Sequence, residues 1–109
     1  GEMKHGPIAL INDQLPVICV CPAGRSREKM LSNIQEVRAR KGRTITIATA
    51  GDAEVASLSE DIFYIPDVPD ELSPFLAVIP LQMFAYHVAR ALGRDIDKPR
   101  NLAKSVTVK

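Results

Sequence analysis

Few side chains in this sequence of 109 residues can make or break a covalent bond. His5 lies in Lys4-His5-Gly6-Pro7, a tight turn ahead of an apolar segment. A loop imidazole titrating near neutrality can face a cleft and trade protons there. Lys104 stands between Ala103 and Ser105 in a largely apolar terminal stretch. A desolvated amine gives up its proton more readily and becomes a nucleophile or Schiff-base former, whereas a lysine this close to a C-terminus is ordinarily solvated. Spacing leaves both readings open for both residues. The other candidates have plainer explanations. His87, between Tyr86 and Val88, reads as a packing residue inside a helix. Cys19 and Cys21 would be nucleophiles only beside a base, and they sit in an apolar run that reads as core. Gly24-Arg25-Ser26 could offer free amides to an anion, as every strand-to-helix turn can. Arg38, Arg40, Lys41 and Arg43 gather at a helix C-terminus, where cations complement the dipole, and Glu36 is spaced to pair with Arg40. The sequence contains no P-loop, no GxGxxG, no paired-cysteine zinc pattern and no GxSxG elbow, so no cofactor or metal is expected.

Those candidates depend on the elements that carry them. Leu15 to Cys21 is a β-branched, cysteine-containing apolar run after Pro16, the pattern of a strand buried on both faces, and alternation puts both cysteines on one of them. Ser26 can cap a helix running to Lys41, with Met30, Ile34 and Val37 at helical spacing and Gly42 as its stop. Thr44 to Ala48 is the next strand, which completes a βαβ unit and calls for a parallel sheet with a right-handed crossover. Glu54 to Ser59 reads as a short helical or irregular piece, and Asp61 to Ile65 as a third strand closed by Pro66. Ser73 is placed to cap a second long helix, with Pro74 at its first position and Gly93 at its end. Pro80 should kink that helix or start a fresh segment. A polar tail, 94–109, follows. The long helix is apolar nearly all round and so reads as buried on more than one side.

Composition narrows the partners. With 14 Lys plus Arg against 13 Asp plus Glu, a net charge of +1, and 5% aromatics without Trp, the sequence has no electrostatic footprint for nucleic acid and few stacking platforms. Phe75 to Leu92 is broken by Pro80, Gln82, His87 and Arg90, so no membrane span is expected. Two cysteines make no disulfide framework and the opening carries no secretory signal, which points to a reduced, cytoplasmic setting. A chain of this length buries roughly 65% of its surface, enough for one core. Its opening, Gly1-Glu2-Met3 straight into a turn, suggests part of something longer.

Four stretches taken together are similar to a known family. They are His5-Gly6-Pro7 with Asn12-Asp13, the helix Ser32 to Arg40, the helix Ile79 to Ala89, and above all Asp95-Ile96-Asp97-Lys98-Pro99-Arg100-Asn101-Leu102-Ala103-Lys104-Ser105-Val106-Thr107-Val108. They resemble the C-terminal end of the glucosamine-6-phosphate synthases, the isomerising glutamine:fructose-6-phosphate aminotransferases, over essentially the whole chain. The resemblance implies an α/β fold: a three-layer, flavodoxin-like sugar isomerase (SIS) domain around a parallel sheet. Residues 1–109 would be the C-terminal portion of that domain, about three strands, two main helices and the tail. It implies fructose 6-phosphate and glucosamine 6-phosphate as ligands, ammonia delivered from an N-terminal glutaminase domain, and a homodimer.

The resemblance also assigns roles to residues. The family's ring-opening histidine matches His5 and serves the neighbouring subunit's site; its Schiff-base lysine matches Lys104, and a sugar-contacting alanine matches Ala103. The family's proton-moving glutamate and phosphate loop lie upstream of the His-Gly-Pro turn, outside these residues, which implies that the 109 residues alone do not turn over. Lys109 stands where an acidic residue is common. The rival expectation is a non-catalytic SIS module that binds a phosphosugar or supports dimerisation. The joint presence of His5 and the whole Asn101 to Ser105 tail favours the enzyme, because a sensor needs neither.

Overall fold

The structure is a computed structural model that describes residues 2–98. Three strands, β1 (Pro16–Cys21), β2 (Arg43–Thr49) and β3 (Asp61–Ile65), form a parallel sheet in the order β1-β2-β3. Pro16 aligns with Arg43 and Ile45 with Asp61. The α1 helix (Arg27–Ala39) and the short α2 helix (Ala53–Ser57) make the two crossovers. Because the strands lie in chain order and parallel crossovers are right-handed, both helices fall on one face of the sheet. There Cys19 and Cys21 of β1 and Ala48 of β2 pack with Leu31 and Ile34 of α1 and Val55 of α2. The third strand falls on the predicted residues, and the first two differ from expectation by a residue at their ends. The first strand is not buried on both faces: Cys19 and Cys21 are buried, whereas Ile18 and Val20 on the opposite face are only half covered.

Helix ends differ from the sequence reading in instructive ways. Ser26 occupies the position before α1, but its hydroxyl makes no cap bond. At the other end the Gly42 amide donates to Val37 O and the Lys41 amide to Arg38 O, the paired bonds of a Schellman turn. The left-handed residue of that turn is Lys41, at φ 61°, not the glycine. Gly42 is needed for close approach instead: a Cβ there would come within 2.7 Å of Val37 Cγ1 and 3.1 Å of its carbonyl oxygen. A 3-10 turn over Asp70–Leu72 leads into α3 (Ser73–Ala91). Ser73 is therefore already inside the helical path, buried, with its hydroxyl donating back to Asp70 O at 2.9 Å rather than accepting as a cap.

Two compact units divide the chain, residues 1–77 and 78–109, so that the boundary falls within α3. The helix runs through Pro80 without a break, the expected fresh start being absent, because one missing donor leaves the rest of a 19-residue ladder in place. Its expected burial is also overturned within the described residues. Phe75 is 70% exposed, and Ile79, Met83 and Leu92 are each more than half exposed. By length and composition alone, Asp70–Ala91 would suffice to cross a membrane. Gly93, at φ 62°, then closes the helix, with its amide on Arg90 O and that of Arg94 on Ala89 O. Asp95 Oδ1 accepts from the Asp97 and Lys98 amides, an Asx turn at the start of the tail.

Candidate active site

His5 ends the first of two short 3-10 turns, Met3–His5 and Pro7–Leu10, and its side chain is exposed. Gly6-Pro7 separates the turns: proline supplies the fixed φ of a helical first position and no amide that the earlier turn could use. Asn12 then redirects the chain into β1, its side-chain oxygen accepting the amides of Gln14 (2.9 Å) and Leu15 (3.0 Å). The imidazole makes no hydrogen bond within the described residues. Lys4, beside it, forms an ion pair with Glu36 Oε1 of α1 at 2.8 Å. Glu36 thus serves Lys4 and not Arg40, the i,i+4 partner that spacing suggested.

The carboxyl edge of the sheet, where ligands of open parallel sheets bind, is tied by its own side chains. Arg27, at the start of α1, grips Asp52 with two nitrogens, Nε to Oδ2 at 2.7 Å and Nη2 to Oδ1 at 2.8 Å, and also reaches Glu54 and Glu28. Asp52 in turn caps α2 by accepting the Val55 amide at 3.1 Å. The Arg27 guanidinium holds the Asp52 carboxyl below the usual carboxylate range, and Asp52 in return strengthens the proton affinity of Arg27. The Ala23 amide donates to Thr49 Oγ1 at 2.8 Å, joining the β1 and β2 ends.

The turn considered for an anion, Gly24-Arg25-Ser26, does meet one, but it is the protein's own. Asp70 Oδ2 takes the Arg25 amide at 3.3 Å and the Arg25 Nε at 3.4 Å. Gly24, at φ 147°, lets the carboxylate come this close, since a Cβ there would overlap it. No sequence signal links residues 45 positions apart, so this clamp was not legible beforehand. Asp52 before Ala53-Glu54, by contrast, is a cap signal that was there to be read.

The remaining candidates lie apart from any such arrangement. Burial pushes the Cys19 thiol up to about 11, with Cys21 adding to it, and burial also raises Cys21, so neither is a ready thiolate. His87 is exposed on α3, edge-on to the Tyr86 ring with 5.2 Å between centroids, and not the packed core histidine expected. Arg38, Arg40, Lys41 and Arg43 are exposed, and Arg43 pairs with Asp61 and Glu60. Among the described residues no group of three or more His, Cys, Asp or Glu side chains could hold a metal ion. Lys104 and Ala103 lie outside the described residues, as do Pro99 to Val108 of the tail motif.

A parallel sheet with sequential crossovers, loops clamped at its carboxyl edge and a histidine turn leading into its first strand is the setting in which the sequence comparisons fall. The model of the SIS domain matches residues 1–91, and the chain belongs to that family. Over 108 residues it is 59% identical to the isomerizing glutamine–fructose-6-phosphate aminotransferase of Thermus thermophilus and 56% identical to that of Aquifex aeolicus. Each match covers 99% of this chain and 18% of the relative, so the chain spans less than a fifth of the length of the curated relatives it matches. The solved C-terminal domain of glucosamine-fructose-6-phosphate aminotransferase from Francisella tularensis aligns with a TM-score of 0.80 at 37% identity, over 90% of this chain and 28% of that one.

Proposed function

We propose that this chain is the C-terminal part of the isomerase domain of an isomerising glutamine–fructose-6-phosphate aminotransferase, which makes glucosamine 6-phosphate from fructose 6-phosphate and glutamine-derived ammonia. The observation that carries this reading is 59% identity over nearly the whole chain to an enzyme of that name, a match that extends past the family region ending at residue 91 and through the tail bearing Lys104. In this reading His5 exchanges protons with the ring oxygen and anomeric hydroxyl of the cyclic sugar, and its exposure on the turn fits service to a neighbouring subunit's site in a homodimer. Lys104, as the neutral amine, adds to the open carbonyl, and loss of water leaves the imine. The product's nitrogen comes from ammonia, so the lysine leaves unchanged, and a base then moves a proton between adjacent carbons. That base, the phosphate loop and the glutaminase domain belong to the rest of the polypeptide, so the 109 residues alone make no product. The same reading assigns Ala103 to sugar binding. A reduced, cytoplasmic setting fits the two free, buried cysteines.

Borohydride trapping with fructose 6-phosphate in the complete polypeptide tests these roles. The adduct should map to Lys104, vanish in Lys104→Arg, which keeps the charge but does not support the imine chemistry, and persist at a rate lowered roughly 10²- to 10⁴-fold in His5→Asn. A sugar trapped on another lysine, or normal isomerisation by Lys104→Arg, would refute the assignment.

A further inference from the structure

Resting on that reading of His5, we infer that Glu36 is a positioning residue for the imidazole, acting from α1 through Lys4. The turn that bears His5 is held by few polar contacts, beside the half-buried Met3, which borders a cavity with Val17, Cys19, Met30 and Val37. Its backbone bonds close on themselves, the His5 amide on Glu2 O and the Ala9 amide on Gly6 O, and within the described residues no hydrogen bond joins residues 2–10 to α1 or to the sheet. Among the described residues the one ion pair from this segment is Lys4 Nζ to Glu36 Oε1 at 2.8 Å. Lys4 is immediately before His5, so a tether on its ammonium limits how far the backbone carrying the imidazole can move away from α1.

Glu36 is suited to the task. It sits in the last turn of α1, between the buried Ile34 and Val37, so its backbone is immobilised by the core. Its side chain is 30% exposed against 63% for Lys4, and its second oxygen, Oε2, is buried without a hydrogen-bond partner. Among the described residues the carboxylate therefore has one donor to satisfy it, and that donor is Lys4. A groove of about 350 Å³, lined by Met3, Lys4, Lys29, Ser32, Asn33 and Glu36, separates the turn from the helix elsewhere. Without the pair, no polar contact among the described residues spans that groove. An exposed ion pair contributes little to stability, but a displacement of about 1 Å in a catalytic group can lower a rate by as much as 10²-fold. The effect is thus looked for in turnover rather than in unfolding.

The complete polypeptide is assayed as wild type, Glu36→Gln, Lys4→Met, His5→Asn and the double variant His5→Asn with Glu36→Gln. Glu36→Gln and Lys4→Met should each lower kcat roughly threefold to tenfold with KM nearly unchanged, within the range that small misplacements produce. In the His5→Asn background the Glu36 change should cost nothing more, because groups that act as a unit are not additive. Reversing the pair, Lys4→Glu with Glu36→Lys, should restore most of the rate. Single variants with wild-type kcat, or losses that multiply with that of His5→Asn, would overturn the inference while leaving the role of His5 intact. Wild-type turnover by His5→Asn would remove the role of His5 and this inference with it.

Discussion

Gly24 is the residue on which the carboxyl edge of the sheet turns. Two demands coincide there: a backbone at φ 147°, and the carboxylate of Asp70 in the space a Cβ would fill. Gly51, at φ 88°, shares the first demand and faces open space. The two glycines therefore separate backbone strain from collision. Gly51→Ala should cost about 1 kcal/mol, the strain of a side chain in that region, and Gly24→Ala about 2–4 kcal/mol, because Asp70 and the turn must move apart as well. Urea unfolding of both variants measures the difference. Equal losses would mean that the Asp70 contact contributes nothing. Gly24-Arg25 announces a turn in the sequence, but nothing in the residues around Asp70 says that it will fill it.

At the scale of elements, the ties between crossovers matter more than the caps at their ends. Asp52 holds α2 through the Val55 amide and α1 through the two nitrogens of Arg27, so one carboxylate serves two helices. Asp52→Asn should cost about 1–3 kcal/mol, the range for a lost charge-assisted bond in a half-buried site. The pH dependence follows from its lowered pKa, caused first by the Arg27 hydrogen bonds. The folded value lies below the ordinary 3.8, so the unfolded chain binds the proton first as pH falls. The stabilisation is complete above the unfolded value and is lost as pH drops through the folded one. Unfolding of wild type and Asp52→Asn from about pH 6 to about pH 2 should show the gap between them closing at the acid end. A gap constant with pH would mean that the carboxylate's charge is not what stabilises.

The strands were legible because a β-branched run between turn residues has few other homes, and Asp61 to Ile65 matched to the residue. The helix caps were less so. Ser26 and Ser73 both stand where caps belong, yet one makes no cap bond and the other bonds backwards, since a preceding 3-10 turn had already begun the helix. The same holds for Lys41 and Gly42, where the packing of Val37 decided which of the two takes the left-handed place. Of the site, His5 was legible as a turn residue, but its link to α1 was not, because a contact between residues 4 and 36 leaves no local pattern.

At the scale of the whole molecule, the apolar residues of α3 are the unsettled account. Phe75, Val78, Ile79 and Met83 of α3 are exposed, as is Leu92 just past its end, more contiguous apolar surface than a stable monomer ordinarily shows. The relatives are more than five times longer, which is where a cover for such a helix would come from. Purified by itself, the 109-residue chain should self-associate at micromolar concentration and above, and sedimentation by analytical ultracentrifugation reads this directly. A clean monomer across that range would show that the exposed face needs no cover.

The order β1-β2-β3 carries a consequence for how the chain acquires its shape. Each strand pairs with the one synthesised just before it, Pro16 with Arg43 and Ile45 with Asp61, so every ladder closes a loop shorter than about thirty residues. Parallel pairing needs a crossover and is slower to form than helical or hairpin contacts, so keeping each crossover this short limits the loop entropy lost before the strands meet. Each strand after β1 therefore has its pairing partner already synthesised when it is made itself, and no ladder within β1-β2-β3 has to wait for an element later in the chain.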